Sequence, residues 1–438
     1  MDLEKEPRVL VDPNTFEDET ASMNWYDVDM EGERVAYGYD EGGEEQYDVR
    51  IIDVETGDLI DEVPDAGRVN PGGFAWTEDG FYYIQTGGPG GGSQLQKSLH
   101  YHVIGEDPNE DEMITDAFDE HAWPQLERDE ETGTLLAAIH RGTTHSEIYL
   151  VDEEASKPLQ PIITDVDATF RPHLNEGSVH FTSNYEAPFS RVLSISVDDI
   201  SKGERIDPDA LMVTVPETDG VLQSITFAGD QLVAHHLRDA SSQLSIWNDS
   251  ERCQTLPVPD HCTIAGLSGG DDQEIFYLVQ SFRSPDEVTR YDLDSGQAHV
   301  LQSADVSYDV EIDVSQEFFV SNDGTEVPAF IVHRADLELT GDAPTVLYGY
   351  GGFRISQTPG FDRFREPFLK SGGVYVVANL RGGTEYGEEW HEAGMLENKQ
   401  HVFDDYYAIA EGLIERGYTN SDRLAACGGS NGGLLTGV

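Results

Sequence analysis

Near its end the chain reads Arg423-Leu424-Ala425-Ala426-Cys427-Gly428-Gly429-Ser430-Asn431-Gly432-Gly433. Gly428 to Gly432 fits the G-x-S-x-G pattern of a nucleophile elbow, a tight turn that presents a serine between a strand and a helix. The flanking glycines are needed because a Cβ at either position would meet neighbouring backbone. A serine hydroxyl is a weak nucleophile until a histidine takes its proton and a carboxylate orients that histidine. Ser430 is thus the candidate nucleophile, and the backbone N–H of Asn431 is placed to donate to the oxyanion of a tetrahedral intermediate. In folds built on this turn the chain order is serine, then acid, then histidine. Only eight residues follow Ser430, and none is Asp, Glu or His. The expectation is a chain that carries the nucleophile and lacks its acid and base.

A second oxyanion donor must come from a loop after an earlier strand. Tyr348-Gly349-Tyr350-Gly351-Gly352-Phe353 follows such a strand; its glycines allow close backbone approach and its tyrosines offer a hydroxyl. By itself this stretch fits a packed aromatic turn equally well. His391 and His401 precede the serine, and Asp404 and Asp405 fall near a predicted helix start, where acids are usually surface groups that favour the helix dipole. A substitute triad from these residues is not expected, because a general base must come within hydrogen-bond reach of Ser430. Gly87-Gly88-Pro89-Gly90-Gly91-Gly92 lacks the Gly-Lys-Ser/Thr of a phosphate loop and reads as a flexible hairpin. His391-Glu392 lacks the second histidine of a zinc helix, and Asp292-Leu293-Asp294-Ser295-Gly296 has its glycine too early for a calcium loop. Neither metal nor cofactor is implied.

The elements that would hold these residues follow from periodicity. Phe318 to Val332 reads as a hairpin turning on Asn322-Asp323-Gly324. Thr345–Tyr348 and Val374–Ala378 are short, continuously apolar runs, as in parallel strands buried on both faces. Val402 to Arg416 carries Phe403, Tyr406, Tyr407, Ile409, Ala410, Leu413 and Ile414 at helical spacing, with Gly417 as a natural stop. Leu424–Cys427 is the strand that feeds the elbow. Strand, helix and strand in alternation predict an α/β sheet.

The first three hundred residues are different. A turn signal followed by a β run recurs at Gly32, Gly80, Gly133, Gly177, Gly229 and Gly270, with spacings of 48, 53, 44, 52 and 41. Each is followed by a second strand that runs into an acidic turn, such as Val49 to Gly57 or Glu147 to Asp152. Repeats of about 40–50 residues with several short strands mark β-propeller blades. The predicted architecture is six blades over residues 1–307 and an α/β part over 308–438.

Composition bounds the partners. The 438 residues hold 85 Asp plus Glu against 26 Lys plus Arg, a formal charge of −59. Such a surface repels nucleic acid and anionic membrane. Dense carboxylates with few lysines suit a protein from concentrated salt, where self-repulsion is screened. Three cysteines, Cys253, Cys262 and Cys427, make no disulfide framework and point to a reducing cytoplasm. The acidic start Met1-Asp2-Leu3-Glu4-Lys5-Glu6 does not read as a secretion signal.

Four blocks together resemble the prolyl oligopeptidase family. Leu347 to Phe353 is similar to its oxyanion loop, and Asn379 to Gly387 with Trp390-His391 to its next block. Asn398-Lys399-Gln400 with Phe403-Asp404-Asp405 resembles the third, and Gly428 to Gly433 the serine block. Over the predicted blades, Leu99 to Gly105 and Arg8 to Asn14 also look similar. The resemblance implies a β-propeller followed by the N-terminal part of an α/β-hydrolase domain ending just after the elbow. It implies Ser430 as nucleophile, the Tyr350 hydroxyl and Asn431 N–H as oxyanion donors, and Phe353 as a wall of a proline-accepting pocket. Short proline-containing peptides would be the substrates, cut by an acyl-enzyme route. A propeller arginine touches substrate in the family; Arg141 lies in about the right blade without a fixed register. Family members carry seven blades and continue past the serine to the acid and the histidine. The expectation is therefore an internal piece of such an enzyme, inactive alone unless a second polypeptide supplies the missing groups. The alternative is a non-catalytic propeller remnant that binds peptides or a protein partner.

Overall fold

The computed structural model describes residues 8–87, 95–129, 132–248, 250–270 and 273–438. Six four-stranded antiparallel sheets follow one another along the chain, each with its strands in sequence order. The first is Ser22–Val28, Arg34–Asp40, Tyr47–Asp53 and Leu59–Gly67; the sixth is Cys262–Gly269, Glu274–Ser281, Glu287–Asp292 and Gln297–Ser303. These are the six propeller blades, and each glycine of the repeat opens its strand or lies one or two residues before it, save Gly270, which lies four residues before Glu274. The glycine-rich stretch read as a hairpin lies, from residue 88 to 92, outside the described residues.

The strand after each glycine was the legible one because it is the second of its sheet and is covered on both faces. Arg34–Asp40 is buried at every residue but its first, as Leu135–Arg141 is at its first five. The fourth strand is an edge, and Gln297–Ser303 and Glu251–Leu256 are almost wholly exposed. Apolar clusters join consecutive sheets. Trp25, Ala36, Val49, Val63, Phe74 and Phe81 fill the space between the first two. Val233, Leu244, Cys262, Ile275 and Tyr277 do so between the fifth and sixth. The chain forms two compact units, residues 1–183 with 193–212, and residues 184–192 with 213–438. The fourth sheet contributes strands to both.

A five-stranded sheet begins at Ile312–Val320, in the order Ile312–Val320, Glu326–Arg334, Val374–Ala378, Thr345–Tyr348, Leu424–Cys427. The first pair is the hairpin over Asn322-Asp323-Gly324, antiparallel with Phe319 opposite Val327. Thr345–Tyr348 is parallel to both neighbours, facing Val374 to Val377 on one side and Leu424 to Cys427 on the other. One face buries Phe330, Val332 and Val377 against Ala240, Phe282 and Leu369. The other buries Ala329, Ile331, Leu347 and Val376 against the helix Gln400–Glu415.

That helix begins two residues earlier than its apolar spacing indicated. Its buried stripe is Val402, Tyr406, Ile409 and Leu413, four, three and four residues apart, while Tyr407 and Ile414 are exposed. Gly417, at φ 78°, ends it in the left-handed region. Among the described residues no helix is long and apolar enough to cross a membrane.

Candidate active site

The elbow has the predicted local form. Leu424–Cys427 ends, Ser430 sits at φ 51° and ψ −116°, and Asn431–Gly437 is helical. A left-handed φ is strained for a serine and is held here by the turn that follows. The N–H of Gly432 donates to the Gly429 carbonyl at 2.7 Å, and that of Gly433 to the Ser430 carbonyl at 2.8 Å. A Cβ at Gly428 would strike the Gly432 carbonyl oxygen, and one at Gly432 would strike that of Gly349. The serine is exposed on this turn.

The tyrosine loop lies beside it. The Asn431 carboxamide donates from Nδ2 to the Tyr350 carbonyl at 2.6 Å and to the Gly351 carbonyl at 3.1 Å. This brings the residue after the serine against the residue whose hydroxyl was the second candidate donor. Tyr350 itself is half-buried, and among the described residues its hydroxyl has no hydrogen-bond partner. Phe353 is 64% exposed. Phe353 and Arg354 are consecutive left-handed residues, at φ 52° and 61°, and turn the loop sharply.

The segment after Val374–Ala378 holds that turn in place. The Arg354 N–H donates to the Gly382 carbonyl at 3.1 Å, and its guanidinium pairs with Glu388. Thr384 Oγ1 donates to the Arg354 carbonyl at 3.0 Å. Glu385, 1% exposed, accepts the Gln357 N–H at 2.7 Å. Burial pushes its carboxyl up to about 7. His391 and His401 turn Nδ1 to the carbonyls of Gly382 and Ala393, at 2.8 and 2.9 Å.

Asp405 departs from the surface role expected of it. It is fully buried and takes Arg381 Nε at 2.9 Å and the Ser321 hydroxyl at 2.7 Å. Arg381 also pairs with Asp323 in the hairpin turn, whose carboxyl it holds well below the usual range. The signal was present in the sequence: Asp405 falls three residues after Val402 and four before Ile409, on the helix's apolar stripe, where a charge demands a partner. Asp404 accepts from Gln400 at 3.0 Å on the outer side. Arg141, in the other compact unit, pairs with Asp119 at 3.0 Å and Glu147 at 3.2 Å.

Residues 2–304 match the family described as prolyl oligopeptidase, N-terminal β-propeller domain, and residues 359–438 match the prolyl oligopeptidase family itself. The chain belongs to the prolyl oligopeptidase family. It is 30% identical over 443 residues to the prolyl endopeptidase of Elizabethkingia miricola, covering 98% of this chain and 61% of that protein. It is 29% identical to prolyl oligopeptidase A of Galerina marginata, covering 98% of this chain and 62% of the relative. A solved chain from a structural and mechanistic analysis of two prolyl endopeptidases superposes with a TM-score of 0.90 at 31% identity, over 99% of this chain and 65% of that one. The chain thus spans somewhat less than two thirds of the length of these relatives.

Proposed function

We propose that this chain carries the nucleophile and the oxyanion donors of a serine peptidase that cuts short peptides after proline. Ser430 attacks the scissile carbonyl, and the oxyanion that forms is received by the Asn431 N–H and the Tyr350 hydroxyl. Phe353 forms a wall of the pocket for the proline ring, to which its exposed face is suited. The observation that carries this reading is the double hydrogen bond from the Asn431 carboxamide to the Tyr350 and Gly351 carbonyls, which joins the elbow to the tyrosine loop. Its peptide preference rests on relatives whose names are prolyl endopeptidase and prolyl oligopeptidase.

Attack by a serine hydroxyl needs a base to take its proton. Neither His391 nor His401 has a hydrogen bond to Ser430 among the described residues. A polypeptide of these 438 residues alone is therefore expected to turn over slowly, since removing a triad member costs several orders of magnitude. A second polypeptide supplying the acid and the histidine would restore the rate.

The test is labelling of the purified chain with a fluorophosphonate probe in high salt, with Ser430→Ala as control, alongside hydrolysis of a chromogenic post-proline peptide. Slow, Ser430-dependent labelling with negligible turnover is expected. A full family-like rate from the pure chain would refute the missing-base reading. A folded chain that never labels would leave a peptide-binding propeller without catalysis.

A further inference from the structure

Lys399 stands just before the helix Gln400–Glu415 and reaches back toward the oxyanion loop. Its Nζ donates to the Gly351 carbonyl at 2.6 Å, 48 residues away, and lies 3.4 Å from Asn431 Oδ1, 32 residues away. The ammonium is half-buried, and among the described residues no carboxylate pairs with it. Arg34, Arg50, Arg354 and Arg381, by contrast, all pair with Asp or Glu. Burial alone displaces its pKa, downward, as for a cation without a counter-charge.

The consequence is orientational. An ammonium has donors only, whereas a carboxamide has an acceptor end and a donor end of nearly the same shape. With Lys399 on one side, the Asn431 oxygen must face it, and the NH₂ must face the Tyr350 and Gly351 carbonyls. Turned over, the carboxamide would oppose its oxygen to two carbonyl oxygens and its NH₂ to the ammonium. Lys399 and Asn431 Nδ2 also share the Gly351 carbonyl, so one cation fixes both sides of the contact. Oxyanion donors act by being aligned before the charge develops, so a group that holds their mutual position affects the rate without touching substrate.

We propose that Lys399 is a positioning residue of the oxyanion site: its ammonium fixes the Asn431 carboxamide in the orientation that clamps the elbow to the Tyr350–Gly351 backbone. This deepens the peptidase reading and rests on it for its effect on rate, though not for its geometry.

The experiment uses the full 438-residue chain labelled with ¹⁵N-asparagine, with the Asn431 side-chain signal assigned by its loss in Asn431→Ser. Lys399→Met is expected to move that signal and to speed hydrogen exchange of its NH₂ about tenfold; Lys399→Arg, which keeps the charge, restores most of both. Lys202→Met, removing an exposed lysine, changes neither. An unmoved Asn431 carboxamide in Lys399→Met overturns the proposal. The fluorophosphonate labelling rate of Ser430 is expected to fall about tenfold in Lys399→Met, a fraction of the loss for a whole oxyanion donor, and to recover in Lys399→Arg. A moved carboxamide with an unchanged labelling rate also overturns it. If even the unmutated chain fails to label, the nucleophile reading fails, and the carboxamide signal still decides the role of Lys399. Should Lys399→Met not fold, Lys399→Gln takes its place.

Discussion

Two buried ionic clusters, one in the blades and one in the α/β part, solve the same problem with different chemistry. In the second sheet His102 is fully buried, with Nδ1 2.7 Å from Asp111 and Nε2 3.0 Å from Asp61. Asp111 also accepts the Tyr83 hydroxyl at 2.8 Å, and Asp61 the Gly105 N–H. In the α/β part Arg381, 4% exposed, joins Asp405 on the helix, Asp323 in the hairpin turn and the Ser321 hydroxyl. Burial opposes both cations. Hydrogen bonds to two carboxylates overcome it, raising His102 and Arg381 above their ordinary values. The guanidinium nevertheless stays charged at every pH the protein meets, while the imidazolium does not. The guanidinium behind the proposed site thus keeps its charge, and the imidazolium that staples the first two blades is titratable.

The largest expected effect comes from breaking the permanent clamp. Arg381→Met or Asp405→Asn should cost about 3–5 kcal/mol, because either leaves a buried charge or polar group without its partner. Urea denaturation measures it; a double Arg381→Met, Asp405→Leu variant should recover much of the loss. A small single-variant cost would mean that the pair is better hydrated than its burial indicates.

His102→Gln is next, at about 2–3 kcal/mol near pH 6, from lost hydrogen bonds to charged groups. The folded pKa of His102 is raised, so its contribution is complete below the unfolded value of 6.5 and disappears as pH rises through the folded value. The same substitution should cost less at pH 9. An equal cost at both pH values would remove the distinction between the clusters.

Glu385, unlike the carboxylates of both clusters, is a buried acid without a cation among its hydrogen-bond partners. Its folded pKa of about 7 lies above the ordinary 4.5, so the protonated form is favoured in the fold. Stability relative to an unperturbed glutamate is complete below 4.5 and falls as pH rises toward 7. Glu385→Gln should therefore be more stable than the parent at pH 8, by about 2 kcal/mol, and no more stable at pH 4. Thermal melts at the two pH values decide it. The smallest effect belongs to the exposed pair Arg205–Asp165, where Arg205→Ala should leave the denaturation midpoint unchanged.

The blades were legible because a central strand covered on both faces must be apolar, and a tight turn before it favours glycine. Arg34–Asp40 and Gln231–Arg238 carry that signal, whereas the exposed edge strand Gln297–Ser303 carries none. The elbow was legible for the same local reason, since the backbone of Ser430 and its neighbouring glycines is fixed within a few residues. The roles of Asp405, Glu385 and Lys399 were not, though all three stand in the blocks that resemble the family.

Neighbours along the chain fix where the central strands lie, how many blades they make, and which serine sits on a strained turn. Those properties depend on neighbours within one turn or one hairpin. Packing between distant segments settles that Arg381 is the partner Asp405 meets, that Glu385 is sealed against Gln357, and that Lys399 meets two neutral oxygens. The partners of these groups stand between 24 and 48 residues away, and a charge acquires its pKa and its cost from what surrounds it, not from what precedes it in the chain.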